Sequence, residues 1–260
     1  MVPPLLTLLT DFGLADTYVA QVKGVVLGLV PAATLVDATH AIEPGDLLGG
    51  CLALESILPH FPVGTVHLAV VDPGVGTARL PLAVAAGGWF GVGPDNGILT
   101  PLLLLPGAQV YEIRTGRFAP DLVAPTFHGR DLFAPACAHL LAGHPLEELG
   151  PPVATPQRLA LPEPRPVAGG VDGEILHIDR FGNCATSIRA ADLAGRDPAA
   201  LLVTVAGQTL HGLARTYGEV AEGALVALIG STGRLEIAVR NGSAASRLGV
   251  RRSTPVALHW

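Results

Sequence analysis

Two aspartates stand where a chain readily presents an acid. Asp11, in Leu9-Thr-Asp-Phe-Gly13, and Asp72, in Val70-Val-Asp-Pro-Gly-Val-Gly76, each follow a short apolar run that reads as a β-strand. In an open parallel sheet the carboxyl ends of the strands line the ligand crevice, so both acids could face one pocket; each could equally cap a turn or the next helix. The glycine-rich run 72–79, closed by Arg79, looks like a phosphate-cradling loop but has neither dinucleotide spacing nor the Gly-Lys-Ser/Thr ending of a P-loop. The single lysine, Lys23, falls in a helical pattern, which further weakens phosphoryl transfer. Asp11-Phe-Gly also matches a kinase activation-loop opener, but the companion kinase motifs are missing and the match is chance. Among the histidines no pair has a recognised metal-ligand spacing, so no metal is expected. His128 stands apart, placed between Thr126-Phe and Gly-Arg-Asp131 at the entry to a helical segment, where a side chain is easily turned into a cleft. Asp179-Arg-Phe-Gly-Asn183 offers an acid, an aromatic and an amide at a tight turn; it fits an ordinary hairpin or a face for a heterocycle or an amino acid.

The elements that must carry these residues fall into two groups. From residue 5 to about 150, strand-like runs at 5–10, 34–37, 66–71, 82–86 and 109–113 alternate with helical patterns at 17–29, 45–58 and 131–142, with Asp16 placed to cap the first. This alternation predicts an α/β sheet with helices on both faces. The stretch 150–168 contains six prolines and can continue neither a helix nor a central strand. Beyond it, β-like runs at 173–179, 185–188, 201–205, 224–229 and 234–239 predict a smaller, all-β, barrel-like domain. The expected division is residues 1–155, a Pro-rich linker at 156–168, and 169–260.

With 49% hydrophobic and 15% charged residues the 260-residue chain is a folded globular protein rather than a disordered one. A net charge of -6 without a basic run argues against nucleic acid as a partner. No cationic leader precedes the first apolar stretch and no apolar run reaches spanning length, so a cytoplasmic protein without a membrane partner is expected. Cys51, Cys137 and Cys184, odd in number and set among apolar neighbours, fit buried small hydrophobes better than disulfides or a thiolate zinc site.

Taken in order, several blocks resemble the S-adenosyl-L-methionine hydroxide adenosyltransferase family, whose relatives include fluorinating and chlorinating enzymes. The blocks are Thr10-Asp-Phe-Gly13 with Asp16, Lys23-Gly24, Asp37-Ala-Thr-His40, the run from Phe61 to Gly76, Arg79, Gly93-Pro-Asp-Asn-Gly97, Thr126 to Pro135, Asp179 to Asn183, and Gly230 to Val239. The resemblance covers nearly the whole chain. It implies that Asp72, Arg79 and His128 handle the attacking water, that Asp11 grips the ribose hydroxyls, and that Asn183 with Asp179 holds the methionine end. It further implies that Ser231, Glu236 and the Val239 backbone meet the adenine or its surroundings; Phe181, the aromatic of the 179–183 turn, is a further candidate for substrate binding. The family arrangement is a large α/β domain and a β-barrel domain assembled as a homotrimer, each site lying between neighbouring subunits. Two departures stand out: Ala185 replaces a Trp that halogenating relatives carry two positions beyond the Asn, and Arg240 precedes Asn241, so neither is given a role.

The implied reaction is hydrolysis of S-adenosyl-L-methionine to adenosine and L-methionine, with water as co-substrate and no cofactor. A sulfonium is already a good leaving group, so the demand falls on the nucleophile: water must reach C5′ opposite sulfur and lose a proton. Arg79 beside Asp72 would make the carboxylate an anchor, whereas a neutral His128 titrates near working pH, which favours His128 as the acceptor. The alternatives are halide attack on the same substrate and a non-catalytic adenosine or S-adenosyl-L-methionine binder. Halogenating relatives lack the His-Gly of Thr126-Phe-His-Gly129, and a binder has no need for Arg79 with His128.

Overall fold

The structure is a computed structural model that describes residues 4–114 and 124–260. Residues 1–3 and 115–123, which the expected α/β domain also spans, lie outside the described residues. The chain divides into two compact units, residues 1–160 and 161–260.

Among the described residues the first unit is built on six strands: β1 (Leu5–Thr10), β2 (Thr34–Thr39), β3 (Val66–Val70), β4 (Pro81–Ala86), β5 (Trp89–Pro94) and β6 (Gln109–Glu112), in the order β2-β1-β3-β5-β4-β6. β2, β1, β3 and β5 run parallel, while β4 pairs antiparallel with both β5 and β6. The sheet is therefore mixed, because β4 and β5 are joined by the tight turn at Gly87-Gly88 and a hairpin is antiparallel. β5 escaped the sequence reading since Trp-Phe-Gly-Val-Gly-Pro shows neither alternation nor β-branched enrichment. Its glycine has a steric cause: a Cβ at Gly93 would lie 2.3 Å from the Ala69 carbonyl of β3.

Helices α1 (Tyr18–Leu29), α2 (Leu47–Ile57), α3 (Thr100–Leu103) and α4 (Ala134–Leu141) cover this sheet. Strand side chains alternate between two cores. Val66, Leu68 and Val70 of β3 join Val22 and Val26 of α1 and Ala136, Cys137 and Leu140 of α4. Ala69 and Val71 join Leu54 of α2 and Leu102 and Leu103 of α3. Asp46 caps α2, accepting from Gly49 N at 3.0 Å. Asp16 does not cap α1: Thr17 occupies that position without a side-chain bond, because the helix begins one residue later than the pattern suggested. The segment before α4 is a π turn, Gly129–Phe133, so the expected helix at 131–142 starts earlier and with wider winding. Such turns recur at functional sites.

The second unit holds β7 (Arg165–Val167), β8 (Gly170–Ile178), β9 (Cys184–Arg189), β10 (Leu202–Val205), β11 (Gln208–His211), β12 (Leu225–Ile229), β13 (Arg234–Val239), the short helix α5 (Ala244–Leu248) and β14 (Pro255–His259). Antiparallel pairing gives the order β11-β10-β14-β8-β9-β13-β12, with β7 on β8. Just past β11, Ala214 donates to the Ala227 carbonyl of β12 at 2.9 Å, so the path nearly closes into a barrel. Ile175, Ile188, Val203, Leu235, Ile237 and Leu258 fill its interior. Among the described residues no helix is long and apolar enough to cross a membrane.

Candidate active site

The carboxyl ends of β1 and β3 lie side by side, since Thr10 is in register with Val70 and Asp11 N donates to the Val70 carbonyl. This carries Asp11 and Asp72 out of adjacent strands at the same edge. Asp11 Oδ2 accepts from Gly45 N at 3.0 Å, in the loop ahead of α2. Beyond Asp72 the chain folds back through successive turns, with Val75 N bonded to the Asp72 carbonyl and Thr77 N and Oγ1 bonded to the Gly74 carbonyl. Residue 79 thereby returns to residue 72.

Arg79 donates through Nε to Asp72 Oδ1 at 2.9 Å and through Nη2 to Asp72 Oδ2, a two-pronged guanidinium–carboxylate pair with both side chains nearly buried. The same Nη2 meets His128 Nδ1 at 2.8 Å. A guanidinium only donates, so Nδ1 must be the acceptor and the imidazole proton of neutral His128 sits on Nε2. Burial, helped by the Arg79 charge and opposed by Asp72 and Asp131, holds the His128 ring below its ordinary pKa, in keeping with the neutral form. The third nitrogen, Arg79 Nη1, is buried and has no acceptor among the described residues. A buried donor of this kind suits an oxygen brought by substrate or water.

The segment carrying His128 is held from behind. Asp131 accepts from Ala124 N at 2.9 Å and from Arg130 Nε and Nη2 at 2.5 and 2.8 Å, while Arg130 Nη1 reaches Gln21 of α1 at 2.9 Å. Phe127, under the Arg130 guanidinium, meets Tyr18 and Phe12 edge to face at 5.2 and 6.0 Å. Tyr18 was missed in the sequence: it lies outside every motif, and nothing local distinguishes it from a helix-start aromatic.

In the second unit the turn between β8 and β9 closes on Asp179. Its Oδ1 accepts from Phe181 N and Asn183 N at 2.9 and 2.8 Å, and its Oδ2 from Asn183 Nδ2 at 3.0 Å. With the carboxylate thus occupied, the Phe181 ring is left 76% exposed. Glu236 of β13 faces Ala185 of β9 across the ladder and accepts from the Tyr217 hydroxyl at 2.7 Å. Burial raises the Glu236 pKa; the Tyr217 bond opposes this and the Asp179 charge adds to it. Bonding to Glu236, then burial, pushes the Tyr217 phenol up to about 12, and burial, then Asp179 and Glu236, pushes the Cys184 thiol up to about 11. Ser231 is exposed in the β12–β13 turn, next to Gly230, which packs against the Glu236 carboxylate. Val239 is buried at the end of β13, its carbonyl accepting from Gly242 N. Tyr217 too was missed, because its partner lies 19 residues away on β13.

The sequence reading therefore resolves into two groups. Asp11, Asp72, Arg79 and His128 belong to one strand edge of the first unit; Asp179, Phe181, Asn183, Ser231, Glu236 and Val239 belong to the second. A further cluster lies around the C-terminal end of α4, where His139 of its last turn, His144 and Glu148 bring ligand-type atoms within 4.8 Å of one another. Its two imidazoles are stacked at 4.7 Å and 26°, and ring lone pairs lie in the ring plane, so in this geometry they do not converge on one ion. At helical rise it stands roughly 16 Å along the chain axis from His128.

The chain matches the family model described as SAM hydroxide adenosyltransferase N-terminal domain over residues 6–150 and the corresponding C-terminal domain over residues 173–257. It is 46% identical to a protein of Thermus thermophilus named (R)-S-adenosyl-L-methionine hydrolase, over 96% of this chain and 97% of the relative. A Salinispora tropica protein of the same name is 41% identical over 95% and 94% of the two chains. A fluorinase of an Actinoplanes strain is 34% identical over 73% of each. A crystal structure of a conserved protein from Thermotoga maritima, 34% identical, superposes with a TM-score of 0.93 over 98% of this chain and all of that one.

Proposed function

Because the chain belongs to the SAM hydroxide adenosyltransferase family, we propose that it cleaves S-adenosyl-L-methionine with water at ribose C5′, releasing adenosine and L-methionine. Relatives named for the (R)-sulfonium point to that epimer as substrate. The observation that carries the chemistry is the directional Asp72–Arg79–His128 array. Attack on C5′ forms the C–O bond as the C5′–S pair withdraws onto sulfur, giving a neutral thioether that needs no acid. Water loses one proton in the process. Since the His128 Nδ1 lone pair is committed to Arg79, the atom His128 offers is Nε2–H, which holds the water oxygen, and the remaining lone pairs of Asp72 take the proton. This reverses the preference for His128 as acceptor that residue types alone suggested. Arg79 fixes both partners and offers Nη1 to the developing charge.

In the same reading Asp11 grips the ribose hydroxyls, Asn183 and Asp179 hold the methionine end, Ser231, Glu236 and Val239 surround the adenine, and Phe181 offers the substrate an aromatic face. The domain limits 1–155 and 169–260, a homotrimer with sites between subunits, a cytoplasmic location and a cofactor-free reaction complete it. The decisive experiment incubates purified protein with each sulfonium epimer, with and without chloride or fluoride, and separates the nucleosides. Adenosine and methionine in equal amounts are expected. A 5′-halo-5′-deoxyadenosine would assign the halide reaction instead, and no product would leave only binding. Asp72→Asn should lower kcat by about 10²–10⁴-fold, the usual worth of a positioned base, with adenosine affinity kept.

A further inference from the structure

The motif Asp37-Ala-Thr-His40 and the lone lysine are not used by the chemistry above, yet they meet at its edge. Lys23 Nζ of α1 donates to Asp37 Oδ2 at 2.6 Å, and Asp37 Oδ1 lies 3.0 Å from His40 Nε2. His40 Nδ1 lies 2.8 Å from Thr10 Oγ1, which accepts from Phe12 N at 3.2 Å. The carbonyl of His40 accepts from Gly13 N at 2.9 Å. A carboxylate only accepts, so His40 carries a proton on Nε2; in the neutral ring Nδ1 is then the acceptor and the Thr10 hydroxyl donates to it. Every bond then has one direction, from Lys23 and His40 into Asp37, from Thr10 into His40, and from Phe12 into Thr10.

Thr10 and His40 are 1% and 5% exposed, so the inner half of this polar chain lies inside the fold, while Asp37 and Lys23 bring its outer end toward the surface. Its order imitates a Thr-His-Asp nucleophile array. The buried Thr10 hydroxyl cannot reach a substrate atom, and its lone pair is engaged by Phe12 N, which excludes that role. What the chain does hold is the backbone on both sides of Asp11: Thr10 precedes it, and Phe12 and Gly13 follow it. Asp11 itself is tied only through Oδ2 to Gly45 N among the bonds described for its carboxylate.

We propose that Thr10, His40, Asp37 and Lys23 form a hydrogen-bonded relay that positions Asp11 for the ribose of the substrate. This rests on Asp11 being the ribose-gripping acid. The relay residues are positioning residues, so their loss raises KM and weakens adenosine binding while leaving the water chemistry at Asp72 intact.

The test measures steady-state hydrolysis, adenosine affinity and melting temperature for the full chain carrying Thr10→Val, Thr10→Ser, Asp11→Ala and the double variant Thr10→Val/Asp11→Ala. Thr10→Val should raise KM about tenfold, the scale of one lost hydrogen bond, with kcat held. Thr10→Ser, which keeps the hydroxyl, should restore wild-type KM. In the Asp11→Ala background Thr10→Val should add nothing, because the group it positions is gone. Lys23→Met, at the exposed end of the relay, should raise KM about threefold even if Thr10→Val does not fold. A fall in kcat at unchanged KM, equal effects of Thr10→Val with and without Asp11, or a change in melting temperature alone would overturn the relay. If Asp11→Ala itself leaves KM and adenosine affinity unchanged, the ribose assignment fails, and the relay with it.

Discussion

His128 shows how a single donor fixes a tautomer. Because Arg79 Nη2 can only donate, His128 must keep Nδ1 bare, and burial together with the Arg79 charge makes its ring protonate at lower pH than an ordinary imidazole. Removing the cation removes one of the two influences that lower this pKa and leaves Asp72 and Asp131, which raise it. In Arg79→Met the titration of His128, followed by the NMR shift of its Cε1 proton, should therefore move to higher pH than in the unsubstituted protein. A shift to lower pH would mean that the Arg79–His128 contact does not persist in solution. His67 is a second buried imidazole with a different consequence. It sits fully inside β3, bonded to Thr7 Oγ1 through Nδ1, and burial lowers its pKa to about 4. The unfolded chain binds this proton near pH 6.5 and the folded one only near 4, so stability present above 6.5 is lost as pH falls through that window. Thermal melts of His67→Gln between pH 7 and 4 should show a shallower decline than those of the unsubstituted protein.

At the level of elements, function depends on turns that only glycine can make. The β8–β9 turn brings Asp179, Phe181 and Asn183 together by setting Gly182 at φ +83° against Ser243, where a Cβ would fall 2.0 Å from the hydroxyl. Gly182→Ala meets a left-handed backbone cost of about 1–2 kcal/mol and a clash that must displace the start of α5. The expected outcome is a lower melting temperature together with weakened substrate binding; an unchanged melting temperature would show that the turn relaxes freely. On the other unit, the π turn at Gly129–Phe133 places His128 at its mouth, and Asp131 within it binds back to Ala124. One turn of backbone thus both presents the imidazole and braces it.

At the scale of the molecule, the acids and His128 belong to residues 1–160 and the Asn183 group to residues 161–260. In the proposed homotrimer these two halves of a site come from different subunits. Neither Asp72→Ala nor Asn183→Ala should then be active alone, whereas hybrids formed by dissociating and reassociating the two inactive proteins should regain activity, because some interfaces pair two intact halves. Mixed oligomers verified by mass spectrometry but devoid of activity would place the whole site within one chain.

The sequence by itself determined the strands whose apolar residues alternate or run unbroken, such as β1 and β3, and the aspartates that end them, because periodicity and turn chemistry act over a few residues. It also located a proline-rich stretch, within which the short strand β7 nevertheless forms at Arg165–Val167. Tertiary structure alone decided the rest. β5 became a strand because β3 and α3 press on positions where only glycine fits, and β4 became antiparallel because a two-glycine turn reversed it. Arg79 and His128 are 49 residues apart, Thr10 and His40 30, Tyr217 and Glu236 19; such pairs form only once the fold has brought distant segments together. The chemistry of a residue is written in its type, but the direction of its hydrogen bonds, and hence whether His128 gives or takes a proton, is set by the neighbour that packing supplies.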